Sequence, residues 1–284
     1  MQKLADSLGR LSELAMSFEG IDPKEAVQQK VDDYNSRDGH LHEADGYSCP
    51  VCRNRGDIAV VTEYPAGCWQ MSLRMCRCND TRDSIRRMNA SGLGNIIRDC
   101  TFDKFHATEP WQQTIKAAAM EYVKAQGGWF CIGGQSGCGK THLCTAISRA
   151  FLLEGKTVAY MLWQDDAAKL KAVSLEAEER ERIMNRLKKS EVLYIDDLFK
   201  PARDYTGAKQ RPTPADVRIA FEIINYRYMD PKLRTIISSE WSQDELLDID
   251  EATGGRIFEK AGKYGFSIAE DRRRNYRTRN AVTL

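Results

Sequence analysis

The sequence predicts an α/β fold: a five-stranded parallel sheet covered by helices on both faces, preceded by a small cysteine-paired module. Three observations predict it. From residue 111 onward, short apolar runs rich in β-branched residues alternate with longer helical patterns. The loop "GGQSGCGKTHL", residues 133–143, lies between one such run and a helix. Two close cysteine pairs, "CPVC" (Cys49, Cys52) and "CRC" (Cys76, Cys78), flank a strand–turn–strand pattern.

The elements follow in order. Leu4, Leu8, Leu11, Ala15 and Phe18 recur at helical spacing until Gly20. "DPKEAVQQKVDDYN" reads as a second helix, with Asp22 as cap and Pro23 at its first position. Such a pair packs on its own domain or binds a partner. "GDIAVVTEY" and "CWQMSLRM" form a hairpin around "PAG". The polar stretch 98–110 reads as a linker ending at Pro110. Beyond it come a helix over 111–126, the strand "GWFCIGG", a helix from Lys140 to Leu153 and the strand "TVAYMLW". A charged helix over 164–189 leads to "EVLYIDD". A helix over 214–229, capped by Thr213, precedes "RTIISSE", then "QDELLDID" as a short helix and "YGFSIAE" as the last strand. The expected division is 1–45 as N-terminal helices, 46–98 as the cysteine module and 99–284 as the α/β domain.

Gly134, Gly139, Lys140 and Thr141 match G-x-x-x-x-G-K-[ST], with Gln135, Ser136, Gly137 and Cys138 between them. Glycines let the backbone turn its N–H groups inward on phosphates, and the following helix adds its positive end. Lys140 brings a point charge to the β/γ-phosphates of ATP, and the Thr141 hydroxyl suits Mg²⁺. Asp196 and Asp197 end an apolar strand, where a parallel sheet meets its ligand. Asp196 is the candidate to hold Mg²⁺, and Asp197 to act as general base on the attacking water.

The two cysteine pairs, brought together across a hairpin, make a tetrahedral zinc site of Cys49, Cys52, Cys76 and Cys78. Cys68 lies at the expected hairpin tip, too far round to ligate, and is the substitute ligand if the "CRC" pair binds only once. Cys131, Cys138 and Cys144 read as buried small hydrophobes. With nine cysteines, an odd number, and no export signal, disulfides are not expected. No run is long and apolar enough for a membrane helix, so a cytoplasmic protein without membrane partners is expected.

The 42 Lys/Arg and 41 Asp/Glu leave a net charge of +1, so bulk charge does not announce a nucleic-acid binder. The distribution is uneven: residues 1–45 hold ten acids against five bases. Arg74, Arg77, Arg82, Arg86 and Arg87 cluster, as do Arg272, Arg273, Arg274, Arg277 and Arg279. These fit either solvated faces or phosphate footprints. The loop "LFKPARDYTGAKQRPTP" carries Lys200, Arg203, Lys209, Arg211 and Tyr205, a composition that suits a single-stranded backbone or an ordinary exposed loop.

Together "GGQSGCGKTHL", "VLYIDDL", "RTIISSE" and "GGRIFEK" resemble the AAA+ P-loop ATPases of the DnaC/DnaI helicase-loader type, a group that includes the IstB transposition ATPases. The resemblance covers about residues 98–280 and extends to the cysteine module. It implies an ATPase, slow and stimulated by DNA or a partner. It further implies self-association on ATP binding, a replicative helicase docked by the N-terminal module, and contact with single-stranded DNA. The short tail after "YGFSIAE" leaves no room for a full helical lid, as in the loader group. On the resemblance, Lys140, Asp197 and Arg256 are catalytic, Arg256 being the arginine finger offered to a neighbour, with Lys260 second. Asp197 stands where most AAA+ proteins have Glu. The sensor position falls on Ser239 or Glu240, and Arg277 matches the second sensor arginine. Trp163, Lys169 and Lys171 lie where loaders insert a DNA-contacting element. Alternatives are an IstB-like ATPase acting on duplex DNA, a small-molecule kinase, and a nucleotide-switched adaptor.

Overall fold

The computed structural model describes residues 22–89 and 94–276. The expected helix over 4–18, and Arg277 and Arg279, lie outside them. The chain divides after Asn79 into two compact units. Residues 80–98, grouped with the cysteine module in the expected division, cluster with the larger unit. Among the described residues no helix is long and apolar enough to cross a membrane.

The first unit is a helix on a hairpin. The helix Pro23–Ser36 starts as the sequence implies, with the Asp22 carboxylate accepting from Lys24 N–H at 3.0 Å and proline in the first turn. It packs along β1 (Asp57–Glu63), which pairs antiparallel with β2 (Trp69–Met75). Asn35 grips the strand edge: its amide donates to Ala59 C=O at 2.9 Å and its carbonyl accepts from Ala59 N–H at 3.0 Å. Tyr34 OH donates to Asp57 at 2.9 Å. Apart from the four paired cysteines, the buried apolar residues described in this unit are Val31, Tyr47 and Ala59. That core is far too small to hold the unit together alone.

The second unit carries a five-stranded sheet in the order β4–β5–β6–β3–β7, every pairing parallel. The strands are β3 (Phe130–Gly134), β4 (Val158–Leu162), β5 (Val192–Leu198), β6 (Arg234–Ser239) and β7 (Gly265–Ile268). β3 and β6 are buried at every residue, as expected of strands covered on both faces; the buried polar residues of β6, Arg234, Thr235, Ser238 and Ser239, are hydrogen-bonded. Cys131, Cys138 and Cys144 are buried, as expected. Because all five strands run the same way, their C-terminal ends share one edge, and the phosphate loop and both aspartates gather there.

Two expectations need correction. The helix over 164–189 is two helices, Trp163–Ala172 and Ala177–Lys189. The stretch 98–110 is not a free linker. Cys100 and Phe105 are buried, and the Phe105 ring meets His142 edge-on, centroids 5.4 Å apart. One aromatic anchor outweighs the turn-rich composition around it.

A buried arginine ties the sheet's opposite end. Arg227, on the helix Pro214–Tyr228, is fully buried. It donates to Leu187 C=O (3.1 Å), Lys188 C=O (2.9 Å), Ser190 C=O (2.9 Å), Arg234 C=O (2.6 Å) and the Thr235 hydroxyl (3.0 Å). Burial pushes its pKa down to about 9, leaving it charged at neutral pH, where carbonyl dipoles stabilise it in place of water. Arg227→Met strands those carbonyls. Since each buried unsatisfied group costs about 1–3 kcal/mol, urea unfolding should show a loss of at least ~3 kcal/mol, with Arg227→Lys losing less.

Candidate functional site

The phosphate loop leaves β3 at Gly134 and enters the helix Lys140–Leu153. Its glycines are sterically required. Gly134 has φ +117°, and a Cβ there would stand 2.2 Å from Ile268 C=O on β7. Gly137 has φ +80°, and its Cβ would stand 2.0 Å from the Asn275 side chain. The Lys140 ammonium is turned into the loop, donating to Gly134 C=O at 2.8 Å and Gln135 C=O at 2.7 Å. Cys138 is buried, its Sγ on Gln135 C=O at 3.0 Å, and burial pushes its thiol pKa up, so it serves as packing.

The loop is strapped from behind by the segment after β7. Gln135 donates to Asp271 C=O at 2.8 Å and accepts from Asp271 N–H at 2.6 Å. Tyr276 N–H donates to Gly137 C=O at 2.9 Å. The Gln112 amide holds the Tyr276 hydroxyl at 3.0 Å.

Asp196, at the end of β5, is buried and accepts three hydroxyl hydrogen bonds. Ser238 Oγ lies at 2.5 Å and Thr141 Oγ1 at 3.3 Å from Oδ1, and Tyr160 OH at 3.2 Å from Oδ2. Burial and the Asp196 charge push the Tyr160 pKa up, so its hydroxyl stays a donor. Asp197 N–H donates to Ser238 Oγ at 2.9 Å. Asp197 Oδ2 pairs with Lys200 Nζ at 2.9 Å, and Lys200 reaches Glu240 Oε1 at 2.5 Å. Burial opposes charge on both partners of the latter pair. The ion pairing outweighs it, raising the Lys200 pKa and lowering that of Glu240. A cavity of about 230 Å³ joins Ser136, Lys140 and Thr141 to Asp197, Lys200 and Glu240.

The structure thus brings the loop and both aspartates together and adds residues that the sequence reading missed. Ser238, not Ser239 or Glu240, touches Asp196; Ser239 instead donates to Leu198 C=O at 2.8 Å. Strand register could have found it, since Ile195 pairs with Ile237 and places Asp196 beside Ser238. Lys200 belongs to this cavity as well as to the loop in which it was read.

Arg256 is not among the cavity's lining residues. It sits on the helix Glu251–Ala261, donates to Ala252 C=O at 2.7 Å, and lies over Phe221 and Tyr228 at 5.2 and 5.5 Å. Lys260 also lies over Tyr228, at 4.8 Å.

Of the DNA-contact candidates, Trp163 is buried against Phe199, their rings 5.1 Å apart, and is core. Arg82 is buried too. Lys209 is engaged by Glu245 at 2.9 Å, while Tyr205 is fully exposed. A second cavity of about 230 Å³ brings Gln164 and Lys171 of one candidate segment to Gln210 and Arg211 of the other.

In the first unit the sulfurs of Cys49, Cys52, Cys76 and Cys78 lie within 4.8 Å of one another, all buried. Cys49–Cys76 is 3.8 Å and Cys52–Cys78 is 3.4 Å, close to the ~3.8 Å sulfur spacing of tetrahedral zinc with ~2.3 Å bonds. Burial alone would raise the Cys52 thiol. The Gly56 N–H, 3.3 Å from its sulfur, and the neighbouring thiols outweigh that and bring it down to about 7. Cys68 is exposed and outside the cluster. The donor set fits zinc, and the unit's small core needs the tie. Metal analysis of purified protein should give about one zinc per chain, lost from a Cys49→Ser/Cys76→Ser variant, with the unit unfolding on chelation.

Comparison with known proteins agrees with this geometry. The family model described as IstB-like ATP binding protein matches residues 74–245. The phage-like element PBSX protein XkdC of Bacillus subtilis (strain 168) is 32% identical over 235 residues, 78% of this chain and 82% of that protein. The replicative helicase loader DnaC of Escherichia coli (strain K12) is 28% identical over 117 residues, 40% of this chain and 48% of DnaC. The crystal structure of the DnaC helicase loader superposes with a TM-score of 0.50 at 20% identity, covering 62% of this chain and 98% of that one, a likeness of fold. With a family match spanning the phosphate loop, both aspartates and Ser238, the chain belongs to the IstB-like ATP binding proteins, the DnaC/IstB-type AAA+ ATPases.

Proposed function

We propose that the chain is an ATP-dependent helicase loader of DNA replication, acting in the cytoplasm: it binds a replicative helicase through its zinc-bearing unit and single-stranded DNA through its ATPase unit. The observation that carries this reading is the pairing, in one chain, of a four-cysteine unit with a DnaC/IstB-type nucleotide site. The similarity to DnaC, which spans about half of that protein, supports the helicase as partner.

In the nucleotide site each residue has a task. The N–H groups of Gly134 to Thr141, with Gln135, Ser136, Gly137, Cys138 and Gly139 between, cradle the phosphates. Lys140 neutralises the β/γ-phosphates. The Thr141 hydroxyl and the Asp196 carboxylate, 3.3 Å apart, are an all-oxygen pair that fits Mg²⁺, which when bound offsets phosphate charge. Ser238 and Tyr160 orient Asp196. Asp197 takes the proton from the attacking water, and its short side chain keeps turnover slow. Arg256, away from its own cavity, completes a neighbour's site after self-association on ATP binding. Lys171 and Arg211, facing one groove, hold a strand's phosphates.

The second reading, a transposition ATPase on duplex DNA, is favoured by the family model's name. Hydrolysis measured with single-stranded and duplex DNA at two salt concentrations separates them. The loader reading expects stimulation by single strands that weakens as salt rises, and preference for duplex selects the other. Indifference to both removes DNA from the mechanism. Lys140→Ala should weaken ATP binding by about a hundredfold or more. Arg256→Ala should leave binding intact and lower kcat by about 10³-fold; normal turnover in that variant would refute the finger.

A further inference from the structure

The end of β5 is built to return one side chain to the nucleotide cavity. Asp197 and Phe199 both take left-handed backbone conformations, φ +55° and +56°, which residues with a Cβ rarely adopt. The pairing with β6 is irregular between Ile195 and Leu198. The turn closes with Lys200 N–H donating to Asp197 C=O at 2.8 Å. It sets the Lys200 ammonium between the carboxylates of Asp197 and Glu240. Strain of this kind is retained where a side chain must be delivered to a fixed place.

Two lysines line the cavity, and their situations differ. Lys140 is buried and bonded to loop carbonyls. The Lys200 side chain is 31% exposed, on a flexible stem, and rests on carboxylates. Glu240 is 7% exposed and reaches Ser136 of the phosphate loop. A carboxylate pressed against a phosphate cradle repels its ligand unless a cation stands between them. Lys200, paired with Glu240 at 2.5 Å, supplies one.

We propose that Lys200 is a second phosphate-binding residue, which exchanges its Asp197 contact for the terminal phosphate of a bound nucleoside triphosphate and so distinguishes triphosphate from diphosphate. The proposal rests on the nucleotide-site reading above. A diphosphate lacks the group that competes with the carboxylate, and Lys200 then stays on Asp197. With a triphosphate the exchange leaves Asp197 free to accept a proton, while Glu240 keeps the ammonium within the cavity. The base is released only when the phosphate to be transferred is present.

The test is equilibrium binding of a non-hydrolysable ATP analogue and of ADP, each with Mg²⁺, to wild type and variants. Lys200→Met should lose about tenfold in affinity for the analogue and less than twofold for ADP. Lys200→Arg, which keeps the charge, should recover most of the loss. Equal weakening of both nucleotides in Lys200→Met marks a structural role and overturns the proposal, as does no weakening of either. Wild type that binds neither nucleotide, or Lys140→Ala that binds both as tightly as wild type, removes the nucleotide site itself.

Discussion

A buried carboxylate sets the terms for the larger unit. Asp196 is 4% exposed, and a charge so placed is tolerated only if fixed donors replace water. The donors come from different parts of the chain: Tyr160 on β4, Ser238 on β6 and Thr141 on the loop helix. Satisfying one carboxylate therefore fixes the register of three neighbouring strand ends and the position of the phosphate loop over them. Ser238 serves two masters, donating to Asp196 and accepting from Asp197 N–H, which couples the two acids although they point differently.

The two units are stable for different physical reasons. The larger unit buries whole strands and large side chains such as Trp129, Tyr122 and Phe151, each contributing about 1.5–3 kcal/mol. Its arginine at the far end of the sheet then satisfies carbonyls that would otherwise be stranded. The smaller unit has almost no such payload. Its four clustered cysteines outnumber the other buried apolar residues described in it, Val31, Tyr47 and Ala59, so a metal held by those sulfurs would add to its stability.

Legibility in the sequence followed locality. The helix starts at Pro23 and Pro214 were readable because the capping residues Asp22 and Thr213 bond within three residues of themselves. The phosphate loop and cysteine pairs were readable because their chemistry demands fixed spacing. The break between Ala172 and Ala177 was not: Val173, Ser174, Leu175 and Glu176 include no glycine or proline to mark it. Phe105 was hidden in a stretch that reads as linker, because its partner His142 is 37 positions away. The Lys200 turn was invisible because its left-handed positions are an aspartate and a phenylalanine rather than glycines.

The strap behind the phosphate loop has a consequence for the order in which the protein becomes active. The loop lies between residues 133 and 141, but the contacts that shape it come from Asp271, Asn275 and Tyr276. During synthesis the ribosome has to deliver more than a hundred further residues before those contacts exist. A nascent chain with its loop already outside the exit tunnel still has Gln135 unbraced and Gly137 unpaired. A product truncated before Asp271 lacks the brace altogether.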